Sequence, residues 1–108
     1  MYESLKAAIR MAGIPLAEYG WNNAPQVGNY AVIALDSEAA SISGDNRKTD
    51  YATQGTIDLF CRSTDATDRL AMQDIFNSLG IAWEWNSTQF EREKKIVHYE
   101  FVFELEVV

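Results

Sequence analysis

Few side chains in this chain are equipped for chemistry. There is one histidine, His98, and one cysteine, Cys61, among 108 residues, so no cluster of the soft ligands that zinc or copper prefer can be assembled. Cys61 closes an apolar alternating segment and reads as a small core residue. His98 reads as a surface imidazole near Glu100, with a general base as the alternative. The six glycines are scattered, so they build no phosphate-cradling loop. No serine is flanked as in Gly-x-Ser-x-Gly.

What the chain does carry is carboxylates, 16 against nine lysines and arginines, for a net charge of −7. Asp65 and Asp68 open a helix, where the N-terminal dipole favours negative charge. Asp36, Asp45 and Asp50 lack the spacing of the twelve-residue calcium loop. Asp58 sits inside a strand and must face either solvent or a basic residue of another subunit. Glu100, Glu104 and Glu106 make a row along one side of the final strand. Sequence-independent nucleic-acid binding needs a basic face, which this balance argues against. The expectation is a protein that is not an enzyme and needs neither metal nor cofactor.

The elements that position these groups can be placed by periodicity. Tyr2 to Met11 predicts a short helix with Leu5, Ala8, Ile9 and Ala12 as its apolar stripe, ended by Gly13 and Pro15. Leu16 to Asn29 reads as a connector carrying Tyr19 and Trp21. Such aromatics either anchor the connector over the core or contact a partner. Tyr30 to Leu35 is an apolar run expected to be a buried strand. Asp36 to Asp50 is polar around Gly44-Asp45-Asn46, a turn whose overhanging tip should be mobile in a free subunit.

In the segment that follows, Thr53, Gly55, Ile57, Leu59 and Cys61 alternate with Thr56, Asp58, Phe60 and Arg62, predicting a strand. Ser63-Thr64-Asp65 predicts a helix cap, Ala71, Met72, Ile75, Phe76 and Leu79 a helix, and Gly80 its left-handed end. Ile81, Trp83 and Trp85 predict a third strand, and Asn86 to Glu93 a polar turn. Val97, Tyr99, Phe101, Phe103, Leu105 and Val107 then give the cleanest alternation. At ~3.3 Å per residue this strand would span roughly 40 Å, against ~17–20 Å for a typical one. It must pair with two partners or project beyond the body.

The fold predicted for residues 1–108 is a single α+β domain. It has a four-stranded mixed β-sheet with helices packed on one face, in the order α-β-β-α-β-β with a long β-hairpin tip. The two strands flanking the second helix should run parallel. The start lacks the basic and apolar regions of a secretion signal, and the single cysteine suits a reducing cytoplasm.

Several motifs recur together in one family. They are the connector with Pro15, Tyr19, Trp21 and Pro25; the apolar strand Tyr30-Ala31-Val32-Ile33; the tip Gly44-Asp45-Asn46; the strand Ile57-Asp58-Leu59-Phe60 leading into an acid-rich helix; and the aromatic hairpin Trp83 to Asn86 with Ile96 to Glu106. From Leu16 onward the chain thereby resembles the small tail-terminator, or tail-completion (head–tail joining), proteins of long-tailed bacteriophages. The resemblance implies a structural virion protein, assembled in the host bacterial cytoplasm. It would form a homo-oligomeric ring, commonly a hexamer, at the head-proximal end of the tail tube. The partners implied are the tail tube protein and the head-connector protein, with DNA only passing through and no membrane contact. Tyr19, Trp21, Asp45, Asn46, Arg47 and Lys48 are then the subunit-interface candidates. Glu100, Glu104 and Glu106 are the candidates for an acidic lumen, where carboxylates repel phosphate. Two other readings stay open: an acidic protein that inhibits a nucleic-acid-binding partner by mimicking phosphate, and a small-ligand module with Trp83 and Trp85 lining a pocket.

Overall fold

A computed structural model describes residues 1–21, 24–25, 28–38, 52–62 and 65–106, with backbone alone at 37 and 38. The chain forms α1 (Tyr2–Met11), β1 (Leu16–Glu18), β2 (Tyr30–Glu38), β3 (Ala52–Cys61), α2 (Thr67–Leu79), β4 (Ala82–Glu91) and β5 (Ile96–Glu106). The strands make one mixed sheet in the order β1-β2-β3-β5-β4. The expected α+β architecture is present, with five strands in place of four and a further strand between α1 and β2.

The added strand is β1, in the segment read as connector. Three residues are too few to show a period of two, so its formation is imposed by neighbours. It runs parallel to β2, with Leu16 opposite Ala31 and Glu18 opposite Ile33. The Ala31 N–H donates to the Pro15 carbonyl at 2.8 Å, and the Tyr19 N–H to the Ile33 carbonyl at 2.9 Å. Helix α1 fixes the strand from the side: Glu18 accepts from the Tyr2 hydroxyl at 3.0 Å and pairs with the Lys6 ammonium at 3.2 Å. Lys6 is 6% exposed, bonds Glu3 at 2.9 Å and lies 4.3 Å from the Tyr2 ring centre. These contacts hold the Glu18 carboxyl below its ordinary range, chiefly through Lys6 and then Tyr2. They raise the Lys6 ammonium through Glu3 first. Burial, then the bond to Glu18, raises the Tyr2 hydroxyl.

Strand β5 is paired along both edges. It runs antiparallel to β3, from Cys61 opposite Val97 to Ala52 opposite Glu106, and antiparallel to β4. Its length is therefore used inside the subunit, by pairing with two partners, the first of the two alternatives that so long a strand left open. Because β3 and β4 are both antiparallel to β5, they run parallel to each other, as one intervening helix requires. Strand β4 also continues to Glu91, so Asn86 to Glu93 is not a turn; the turn is confined to residues 92–95. The polar run is held in the ladder by β5, with a bulge between Trp85 and Ser87 absorbing one extra residue.

Helix α2 starts at Thr67, later than the cap read from sequence, and Ala66 at its N-cap makes no side-chain bond. Asp65 still serves it from outside, its Oδ1 accepting the Thr67 N–H at 3.0 Å and the Thr67 hydroxyl at 2.7 Å. Gly80 ends the helix at φ 69°, the left-handed conformation expected there. Leu5 and Ile9 of α1 and Met72 and Phe76 of α2 join Ile33, Ile57, Leu59, Phe101 and Phe103 in one core. Both helices thus cover one face of the sheet. The expected hairpin tip, Ser41 to Asp50, lies outside the described residues.

Candidate interaction surface

Among the described residues, no helix lies on the face of the sheet away from the core. Strand alternation sends Tyr30 and Val32 of β2, Asp58 and Phe60 of β3, and His98 and Glu100 of β5 to that side, because their neighbours Ala31, Ile57, Leu59, Tyr99 and Phe101 are buried in the core. Register then sorts these groups into rows. Tyr30, Phe60 and His98 stand in line across three strands. Tyr30 stacks on Phe60 at 4.8 Å, Phe60 on His98 at 4.4 Å, and Trp21 meets Tyr30 edge-on at 6.1 Å.

The next row sets Asp58 directly opposite Glu100, and like charges so placed repel. Each carboxylate takes a different donor. Asp58 Oδ1 lies 2.7 Å from His98 Nε2. Glu100 Oε1 accepts from Asn86 Nδ2 at 2.7 Å and from the Ser87 hydroxyl at 3.5 Å. Sequence reasoning left Asp58 facing either solvent or a basic residue of another subunit and set His98 near Glu100; their pairing across 40 positions of chain had no local signal. Further along, Glu104 and Glu106 are exposed on the same side. The three lumen candidates Glu100, Glu104 and Glu106 are brought together on one open face, joined by Asp58 and by Glu84 opposite Val102.

The charge separation is sharp. Among the described residues, no Lys or Arg occurs within a strand, whereas each of the five strands carries a carboxylate. At its Tyr30 end, Lys94 and Arg62 line a depression of about 400 Å³. Arg62 is occupied, donating through Nε to the Gly28 carbonyl at 3.0 Å and through Nη2 to the Pro25 carbonyl at 2.7 Å.

The interface candidates divide. Trp21 is half-buried against Tyr30 and acts within the subunit as an anchor of the connector. Tyr19 is 67% exposed at φ 62°, its backbone tied to β2 and its ring free to meet a partner. Asp45, Asn46, Arg47 and Lys48 lie outside the described residues. Two exposed aromatics that sequence reasoning did not single out as contacts are Trp85 (43%) and Phe90 (60%), both on β4. Arg69 lies over the Trp85 ring at 4.6 Å.

The small-ligand reading sets Trp83 and Trp85 in one pocket lining. Trp83 borders an open depression of about 220 Å³ that Trp85 does not reach. Both indole N–H groups are used internally, Trp83 on Asn77 Oδ1 at 2.9 Å and Trp85 on Thr88 Oγ1 at 2.9 Å. Cys61 is buried as a core residue, and burial pushes its thiol up to about 11. Among the described residues no three His, Cys, Asp or Glu side chains are grouped to hold a metal ion, and no helix is long and apolar enough to cross a membrane. No family model matches the chain, and comparison with curated proteins finds no match.

Proposed function

We propose that this protein is a structural component of a phage or prophage virion. It forms a ring, a hexamer in the simplest case, on the head-proximal end of the tail tube. There it ends tube growth and joins the tail to the head connector. The observation that carries the reading is the open sheet face, lined with carboxylates from several strands and free of Lys and Arg within them. A wall of this kind facing a channel repels phosphate and lets DNA pass without trapping it. In this arrangement Glu100, Glu104 and Glu106 face the lumen. Tyr19 and the tip carrying Asp45, Asn46, Arg47 and Lys48 meet adjacent subunits or the tube, through the heterologous contacts that ring closure needs.

The test is electron microscopy of particles assembled without the protein. Overlong tubes, or tails unattached to heads, support the proposal; joined tails of normal length end it. The same acidic row favours one second reading, a phosphate-mimicking inhibitor of a nucleic-acid-binding protein. Solution mass separates the two, since a mimic stays small and binds a basic protein whereas a ring subunit assembles with itself.

A further inference from the structure

Among the described residues, strand β4 is the long free edge of the sheet, ten residues paired on one side only. Exposed edges are usually blunted by Pro, by charged side chains (Lys above all), by an inward charge or by a bulge. The sequence of β4, Ala-Trp-Glu-Trp-Asn-Ser-Thr-Gln-Phe-Glu, contains no Pro, Lys or Arg. Its one irregularity is the bulge between Trp85 and Ser87. The opposite edge, β1, is three residues long.

The bulge gives β4 an unusual symmetry. Before it, the core-side positions are odd-numbered: Trp83 opposite Phe103 and Trp85 opposite Phe101. After it they are even-numbered: Thr88 opposite Tyr99 and Phe90 opposite Val97. An antiparallel partner must set core-side residues against core-side residues, so a second copy that pairs along the whole strand must set each half of β4 against the other half. The register that uses the whole strand sets Trp83 against Phe90, Glu84 against Gln89, Trp85 against Thr88, Asn86 against Ser87 and Ala82 against Glu91. It places no carboxylate opposite another. It also covers Phe90, the most exposed aromatic ring of the sheet, with an indole.

We infer that β4 is a self-complementary interaction surface whose occupant is β4 of a second copy of this chain. The two-fold axis runs through the bulge, perpendicular to the sheet. The two sheets join into one, with all helices on the same side and the acidic faces continuous on the other. Backbone bonds supply the affinity, and the aromatic pairs supply register. Because each copy carries a net charge of −7, the association strengthens as salt screens the subunits. This inference concerns the free protein and does not rest on the ring reading.

The test is sedimentation equilibrium of the full chain across concentration, with variants at exposed positions of β4. The wild type should form a reversible dimer. Gln89→Glu sets two carboxylates opposite Glu84 at both ends of the interface and should weaken it roughly 2- to 30-fold. Ser4→Glu, which adds the same charge on exposed α1, should leave the affinity near wild type. Glu84→Lys combined with Gln89→Glu restores opposite charges and should recover the dimer. Mixing Glu84→Cys with Gln89→Cys protein under mild oxidation should give cross-linked dimer faster than either alone. A monomer at every concentration overturns the inference, as does a dimer that Gln89→Glu leaves unmoved or cross-linking no faster in the mixture. A larger ring insensitive to these changes overturns the β4 pairing while favouring the ring.

Discussion

Gly55 in the middle of β3 decides the sign of a simple substitution. A glycine inside a strand ordinarily destabilises by about 0.5–1 kcal/mol relative to alanine, because it has more freedom to lose on folding. On propensity alone, Gly55→Ala should stabilise the protein. The structure reverses this. A Cβ at Gly55 would collide with Cζ of Phe103, the residue directly opposite on β5, and would stand 2.9 Å from the Ala34 carbonyl oxygen. Phe103 is 1% exposed and packs on Phe76 at 5.8 Å, so it has no room to withdraw. Overpacking of this kind costs about 1–3 kcal/mol, which outweighs the propensity gain and leaves a net loss of roughly 0.5–2 kcal/mol. The assay is urea unfolding of Gly55→Ala, Phe103→Leu and the double variant. Phe103→Leu alone should cost about 1 kcal/mol. Together the two should cost less than their sum, with a coupling of about 0.5–3 kcal/mol, since the shorter side chain clears the new methyl. A Gly55→Ala protein more stable than wild type, or strict additivity, would refute the claim that Phe103 occupies the space a side chain at 55 needs.

Phe101 is fully buried among Phe76, Trp83 and Trp85, with ring centres at 5.9–6.3 Å. Phe101→Ala should therefore cost about 3–5 kcal/mol by denaturant unfolding, whereas Phe90→Ala, measured at concentrations too low for association, should stay within about 0.5 kcal/mol. The clamp on β1 gives a pH dependence of definite sign. Lys6 and Tyr2 both have raised folded-state values, so their contribution is complete below the unfolded values near 10 and is lost as pH climbs above that. Glu18 is lowered, so its contribution is present above its unfolded value near 4 and is lost as pH falls through the folded one. Glu18→Gln should flatten both limbs of a stability profile recorded from pH 2 to 12, and unchanged limbs would remove the clamp from the account.

Where side-chain alternation is long, the sequence predicted its strand correctly. Gly55, Ile57, Leu59 and Cys61 are buried on one side of β3, and Tyr99, Phe101, Phe103 and Leu105 on one side of β5. Gly13 and Gly80 ended both helices in positive-φ conformations. What was illegible depends on neighbours distant in sequence. Strand β1 exists because β2 offers a free edge and because Lys6 and Tyr2 reach Glu18. The polar half of β4 exists because β5 continues beside it. The Asp58–His98 pair follows from the register of β3 against β5, and one residue of slip would have put those groups on opposite faces. The acidic row was legible as a row, since Glu100, Glu104 and Glu106 share one parity. That its neighbours on other strands include no Lys or Arg became apparent only with the strand order.

That strand order also dictates a sequence of events in time. Strand β5 lies between β3 and β4, and nothing else in the sheet bonds those two strands to each other. Until residues up to Glu106 have been synthesised, β3 and β4 both wait with bare edges, separated in sequence by α2. Pairing Ala52 with Glu106 then closes a contact across half the chain, and non-local closures of that kind are slow. The nascent protein is therefore most prone to stray pairing in the interval before β5 is available. Any ligand or chaperone that shelters an open strand edge acts in that interval.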